Sequence, residues 1–216
     1  YNPIQGEVID LARFAELGNR GVLLLMSDST NAERPGHTMP ERMVGESFQK
    51  LFNEAGNRRI VVASFSSNIH RVQQIIDAAV KYDRKVAISG RSMENVVEKA
   101  IELGYLRVPK GVLISLDAMP NYPHNQLIVI TTGSQGEPMS ALSRMASDDH
   151  RKVSITSNDF IIISAYPIPG NEKDVSNVVN SLMRLGAKVI YEKMYDVHTS
   201  GHACQDELKM MLSLTK

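Results

Sequence analysis

IVVASFSSNIHRVQQIIDAAVKYDRKVAIS, residues 60 to 89, decides the fold. IVVAS is a short continuous apolar run, the pattern of a strand buried on both faces. FSSN follows as a polar turn, with Ser66, Ser67 and Asn68 all of helix-capping type. Ile69, Val72, Ile75, Ile76 and Ala79 then recur at helical spacing, and KVAIS at 85 to 89 reads as a second buried strand. Strand, turn, helix, strand is the crossover unit of a parallel sheet.

The alternation extends in both directions. Downstream lie a helix over 92–104 with a glycine stop, a strand over 111–115, and a clear strand LIVITT over 127–132. The last runs into the glycine-rich turn GSQGEP, where Gly133 and Ser134 offer backbone to a ligand, although the Gly-Lys-Ser/Thr end of a P-loop is missing. A short helix (MSALSRMA), a strand over 160–164, a rigid turn AYPIPGNE, a helix from Asn171 to about Leu185 and a last strand over 188–192 complete that half. Upstream, a helix runs from about Pro40 to Ala55, with Val44, Phe48, Leu51 and Phe52 as its apolar stripe. A further helix covers 7–17 and closes at Gly18. GVLLLM at 21–26 reads as another buried strand, which sets Asp28 of SDST at a strand's carboxyl end, the edge where parallel sheets bind ligands. Asp28 is equally at home as a turn cap. The pattern predicts a three-layer α/β/α domain with a mostly parallel sheet.

Near the end lies YDVHTSGHACQDELKMML, 195 to 212, with His198 and His202 around Ser200 and Gly201. A small-residue turn opening a helix leaves N–H groups where a phosphate can sit, and His202 could donate to it or move a proton near neutral pH. Ser200, Gly201 and Ala203 offer hydroxyl and backbone donors; Arg71, in the first turn of its helix, either reaches a phosphate or is solvated. Composition narrows the field. The 24 basic and 24 acidic residues balance, which argues against a broad cationic surface for duplex DNA. One cysteine excludes an internal disulfide and a cysteine metal cluster. No run approaches the roughly 18 apolar residues of a membrane span, and no signal peptide is visible.

Taken in order, SDSTNAERPG, FSSNIHR, TGSQGEP with LSRMA, and PIPGNE leading to HTSGHACQDEL resemble bacterial ribonuclease J, of the β-CASP branch of the metallo-β-lactamase fold. The resemblance covers the whole chain. It implies a cytoplasmic RNase that hydrolyses single-stranded RNA with two zinc ions, from a 5′-monophosphate end and internally, in mRNA decay and rRNA maturation. It implies a homodimeric or homotetrameric enzyme, with an RNA-decay complex as a further partner. Asp28 matches the acidic residue of the first β-CASP motif and His202 the histidine of the second, which makes them the catalytic candidates. Ser66, Ser67, Asn68, Arg71, His198, Ser200, Gly201 and Ala203 are the candidate RNA and phosphate contacts.

The resemblance also implies a division: 1–38 as part of the metallo-β-lactamase domain, 39–204 as the β-CASP domain, and 205–216 as the start of the returning metallo-β-lactamase segment. The six histidines, His37, His70, His124, His150, His198 and His202, make no HxHxDH motif, so no metal ligand is assigned and none of the family's zinc is expected on this stretch. Both ends look like cuts in a longer enzyme, and the stretch alone is expected to be inactive. Tyr166 departs from the pattern ahead of PIPGNE, where a small polar residue is expected. The rival readings are a free-standing nucleotide- or sugar-phosphate-binding α/β module, and the β-CASP domain of a different nuclease.

Overall fold

The computed structural model describes residues 8–191 and 197–215. The chain divides into two units, residues 1–43 with 199–216, and residues 44–198.

The second unit is built on a six-stranded sheet in which every pairing is parallel, with helices on both sides. Its strands are β1 (Arg59–Ala63), β2 (Lys85–Ser89), β3 (Leu113–Ile114), β4 (Leu127–Thr131), β5 (Asp159–Ile163) and β6 (Lys188–Ile190), in the spatial order β3-β2-β4-β1-β5-β6. The apolar runs are strands for the reason their composition implies: β1, β4 and β5 are buried at every position. Register sets Val61 beside Val129 and Ile161. These residues share one core with Leu142 and Met145 of α5 (Ala141–Ala146) and with Val175, Val178, Val179 and Leu182 of α6 (Glu172–Arg184). The alternate residues Ile60, Val62, Ile128, Ile130, Phe160 and Ile162, equally buried, turn to the opposite face. The remaining α-helices of this unit are α2 (Glu41–Ala55), which belongs to it from Val44 onward, α3 (Ile69–Lys81) and α4 (Arg91–Glu102).

Asn68 caps α3 by accepting the Arg71 N–H at 3.0 Å, and Ser140 caps α5. Arg59 closes a bidentate pair on Asp159, at 2.6 and 3.0 Å, with both residues buried. The glycine-rich turn after β4 serves packing. Gly133 has φ +102, and a Cβ there would meet Ser140 Oγ at 2.3 Å, so the side expected to admit a ligand is filled by the chain itself. The strand expected over 111–115 shortens to two residues, and the last strand ends at Ile190; Glu192 lies outside the described residues.

In the first unit, α1 (Leu11–Arg20) begins at its cap Asp10, which accepts the Arg13 N–H, and passes through Gly18 to close at Gly21. Glu7, where the helix was expected to begin, lies outside the described residues. Gly18 is therefore no stop. It lets α1 approach α7 (Gln205–Thr215) so closely that a Cβ would stand 2.0 Å from the Leu214 carbonyl oxygen. GVLLLM forms no strand. Leu23, Leu24 and Met26 are 104%, 72% and 86% exposed, and no described strand pairs with the run. An apolar composition supplies burial energy, but a strand also needs a neighbour to bond its backbone.

Candidate functional site

Two chain segments of the first unit come together around Asp28 and His202. The loop after residue 26 folds back through Asp28, whose Oδ1 accepts the N–H of Thr30 at 2.8 Å and its hydroxyl at 2.7 Å. The other carboxylate oxygen, Oδ2, is hydrogen-bonded to His202 Nδ1. These bonds, from His202 first and Thr30 second, hold the Asp28 carboxyl well below the usual carboxylate range. An ionised Asp28 accepts only, so the imidazole proton sits on Nδ1 and Nε2 is left for a substrate. Both side chains are about half exposed.

Three residues that the sequence reading passed over fix this pair. Asn31 is buried and donates from Nδ2 to Ser200 Oγ at 2.9 Å and to the His202 carbonyl at 3.2 Å. Thr38 Oγ1 lies 3.0 Å from the same carbonyl. Glu207 Oε2 accepts from Thr38 N at 3.0 Å, Thr38 Oγ1 at 2.7 Å and Cys204 N at 2.7 Å. Burial works to raise the Glu207 pKa, but the bonds from Thr38 and Cys204 outweigh it and lower it. The one sequence signal for this device was the acid three positions after the residue that precedes α7, the carboxylate half of a capping box.

The expected phosphate cradle at the start of α7 is not there. The N–H of Cys204 goes to Glu207, that of Gln205 to the Arg34 carbonyl at 2.9 Å, and that of Asp206 to the Gly36 carbonyl at 3.1 Å. The helix start spends its donors on the preceding loop. Ser200 Oγ accepts from Asn31 and from the His202 N–H at 3.1 Å, which leaves its own proton to donate. Gly201 is exposed and Ala203 half-buried.

The other candidates lie in the second unit. Ser66 and Ser67 form the turn between β1 and α3, and their hydroxyls make no hydrogen bond among the described residues; Asn68 is committed to capping. Arg71 is neither solvated nor turned to a phosphate-accessible surface. It is completely buried, and Nη1 donates to the Ser164 carbonyl at 3.3 Å, to Ser164 Oγ and to the Val197 carbonyl at 2.8 Å. A first-turn arginine that bonds two distant carbonyls is a clamp on the chain after β5 and before His198. His198 stands edge-on to Tyr166, with ring centroids 5.1 Å apart, and its buried Nδ1 has no hydrogen-bond partner among the described residues. Burial, then the Arg71 charge, push its pKa down to about 4, so it is neutral near pH 7. The position where a small polar residue was expected is thus filled by an aromatic wall for this histidine.

Among the described residues, no group of three or more His, Cys, Asp or Glu side chains is placed to hold a metal ion, and no helix is long and apolar enough to cross a membrane.

Comparison with known proteins agrees with this architecture. Ribonuclease J of Helicobacter pylori is 49% identical over all 216 residues, which cover 31% of that protein. Ribonuclease J of Thermus thermophilus is 48% identical over 213 residues, 99% of this chain and 37% of the relative. Ribonuclease J2 of Bacillus subtilis is 43% identical over 215 residues, 99% of this chain and 38% of the relative. The chain therefore spans about a third of the length of these relatives. The family model for the ribonuclease J β-CASP domain matches residues 57–182, well over half of the chain and the heart of the parallel sheet, and the chain accordingly belongs to the ribonuclease J family through its β-CASP domain.

Proposed function

We propose that this chain is the RNA-clamping part of a ribonuclease that hydrolyses phosphodiester bonds of single-stranded RNA, from a 5′-monophosphate end and internally, in cytoplasmic mRNA decay and rRNA maturation. The observation that carries the reading is the hydrogen bond between Asp28 Oδ2 and His202 Nδ1. A carboxylate that holds the Nδ1 proton of an exposed imidazole leaves Nε2 free to take a proton, and in the imidazolium form, where both ring nitrogens carry one, to give it to a departing alkoxide or to a phosphate oxygen. Asp28 orients; His202 acts on the reacting phosphate. The Ser200 proton and the Ser66 and Ser67 hydroxyls are donors for phosphate oxygens. Recognition through phosphate and shape, with no base readout, suits general RNA turnover.

The two zinc ions implied by the family likeness have no fitting ligand set among the described residues. In the proposed enzyme they belong to other parts of the longer protein, and the roles given to Asp28 and His202 do not pass through a metal. The same reading makes the enzyme a homodimer or homotetramer and a member of an RNA-decay assembly, and makes this stretch inactive by itself. The test is His202→Ala in the full-length protein. Turnover is expected to fall on the order of 10²-fold or more with RNA affinity nearly kept, because a group that acts on the reacting phosphate contributes mainly in the transition state. Unchanged turnover with much weaker binding would reduce His202 to a phosphate grip.

A further inference from the structure

A cavity of about 610 Å³ opens at the carboxyl edge of the sheet, where β2 leads into α4 and β4 leads toward α5. It lies wholly within the second unit and uses none of the residues assigned above. Its wall is cationic: Arg91, Arg144, Arg151 and Lys152 line it against a single carboxylate, Glu94. Lys152 is spent on Asp117 at 2.7 Å. Arg144 donates from Nη2 to the Asp149 carbonyl at 3.0 Å; its buried Nε lies 3.6 Å from the Asp149 carboxylate and has no hydrogen bond among the described residues. Arg91 and Arg151 are exposed and have no ion pair among the described residues.

His150 Nδ1 accepts the N–H groups of Lys152 at 3.3 Å and Val153 at 3.1 Å, so its proton lies on Nε2. Nε2 faces Ser89 Oγ at 3.0 Å and donates to it, so the buried Ser89 fixes the ring at the cavity floor. Burial, then the Arg144 charge, lower the His150 pKa and favour this neutral form. Gly90, which precedes the twelve-residue α4 without a side-chain cap, lines the same space with Arg91 and Ser92. Met139, 81% exposed, and half-buried Leu116 supply an apolar flank.

We propose that this cavity binds a nucleotide by its phosphate, with Arg91, Arg144 and Arg151 around the phosphate oxygens and the base against Met139 and Leu116. Guanidinium groups match phosphate with paired hydrogen bonds, and Arg91 and Arg151 outnumber Glu94, so the wall keeps positive charge for a phosphate. The volume falls within the range of small-ligand sites. The nucleotide is either free in solution or one unit of an RNA strand. The site stands independently of the nuclease reading.

The test is a titration of full-length protein carrying ¹³C-methyl methionine, with the Met139 methyl assigned through Met139→Leu. Uridine monophosphate, inorganic phosphate and a 5′-hydroxyl oligonucleotide are added in separate arms. A saturable Met139 shift with the monophosphate, weakened roughly tenfold or more for each guanidinium lost in Arg91→Ala and Arg151→Ala, supports a free-nucleotide site. The same loss seen with the oligonucleotide alone supports a strand subsite. His202→Ala is expected to leave either titration unchanged. No shift with any ligand at millimolar concentration overturns the proposal. So does a shift that the two arginine variants leave intact, or one that inorganic phosphate reproduces with equal affinity, since that would remove the base from the site.

Discussion

The Asn31 side-chain amide joins two loops about 170 residues apart in sequence, donating to Ser200 Oγ at 2.9 Å and to the His202 carbonyl at 3.2 Å. Asn31 also forms the parallel bridge with Cys204, so both its backbone and its side chain are bound to the segment that carries His202. The placement of His202 against Asp28 depends on this residue as much as on its own bond.

Asn31→Ala in the full-length enzyme should therefore lower kcat by roughly tenfold or more while KM for RNA changes little. The half-buried Ser200 hydroxyl and the His202 carbonyl each lose one donor, at a cost of about 0.5–1.5 kcal/mol each in stability, and His202 loses the register that its reaction geometry needs. Steady-state kinetics beside a urea titration separates the two effects. A stability loss with unchanged kcat would leave Asn31 as a scaffold residue only.

Asp28 and His202 should behave as one unit. Asp28→Asn keeps the shape but removes the acceptor that fixes the imidazole proton on Nδ1, so turnover should fall substantially. Adding Asp28→Asn to His202→Ala should then cost little more than His202→Ala alone, because the orienting group has nothing left to orient. Rates for the two single variants and the double variant form the test. Simple multiplication of the two losses would separate their roles.

His198 should make stability fall with acid. Its folded pKa is lowered from 6.5 to about 4. Below about pH 6.5 the unfolded chain takes up a proton at this site that the folded chain refuses. The stabilisation is present above pH 6.5 and is lost progressively as pH falls toward 4. Urea midpoints at pH 7, 5.5 and 4.5 should drop less steeply for His198→Gln than for the natural protein. Parallel slopes would place the acid sensitivity in other groups.

Asp159→Asn should be among the most destabilising single changes. It halves a bidentate pair with buried Arg59 and leaves that guanidinium charge uncompensated; it also weakens the acceptor of the Thr156 N–H at 2.7 Å. Breaking one side of a buried pair costs about 3–5 kcal/mol. Equilibrium urea unfolding reads this directly.

The second unit was legible in the sequence because its strands are buried on both faces. IVVAS, KVAIS, LIVITT and FIIIS report that burial as uninterrupted apolar runs, and the helices between them by their spacing. The same signal misled at GVLLLM, since composition reports what a strand could bury and says nothing of what it could pair with. Gly18 read as a stop because local rules carry no knowledge of Leu214. Asp28 and His202 were found as motif residues, but the side chains that hold them were not. Asn31, Thr38 and Glu207 act across about 170 residues of chain, and nothing local distinguishes them from ordinary loop polar groups. Arg71 fails for a related reason: a guanidinium in a first helical turn reads alike whether water or two carbonyls receive it.

The placement of β4 has a consequence during synthesis. β1 and β2 are joined by one helix in the chain yet never touch in the sheet, because β4 fills the slot between them. While the chain emerges from the ribosome, both strands precede the one that bonds them. Until residues 127–131 follow, each faces an empty slot with its amides and carbonyls unmatched. Contacts so far apart in sequence form slowly, and unfilled strand edges are the surfaces on which unfinished chains adhere to one another. The late insertion of β4 is then the step at which a nascent chain commits either to its own sheet or to a neighbour's.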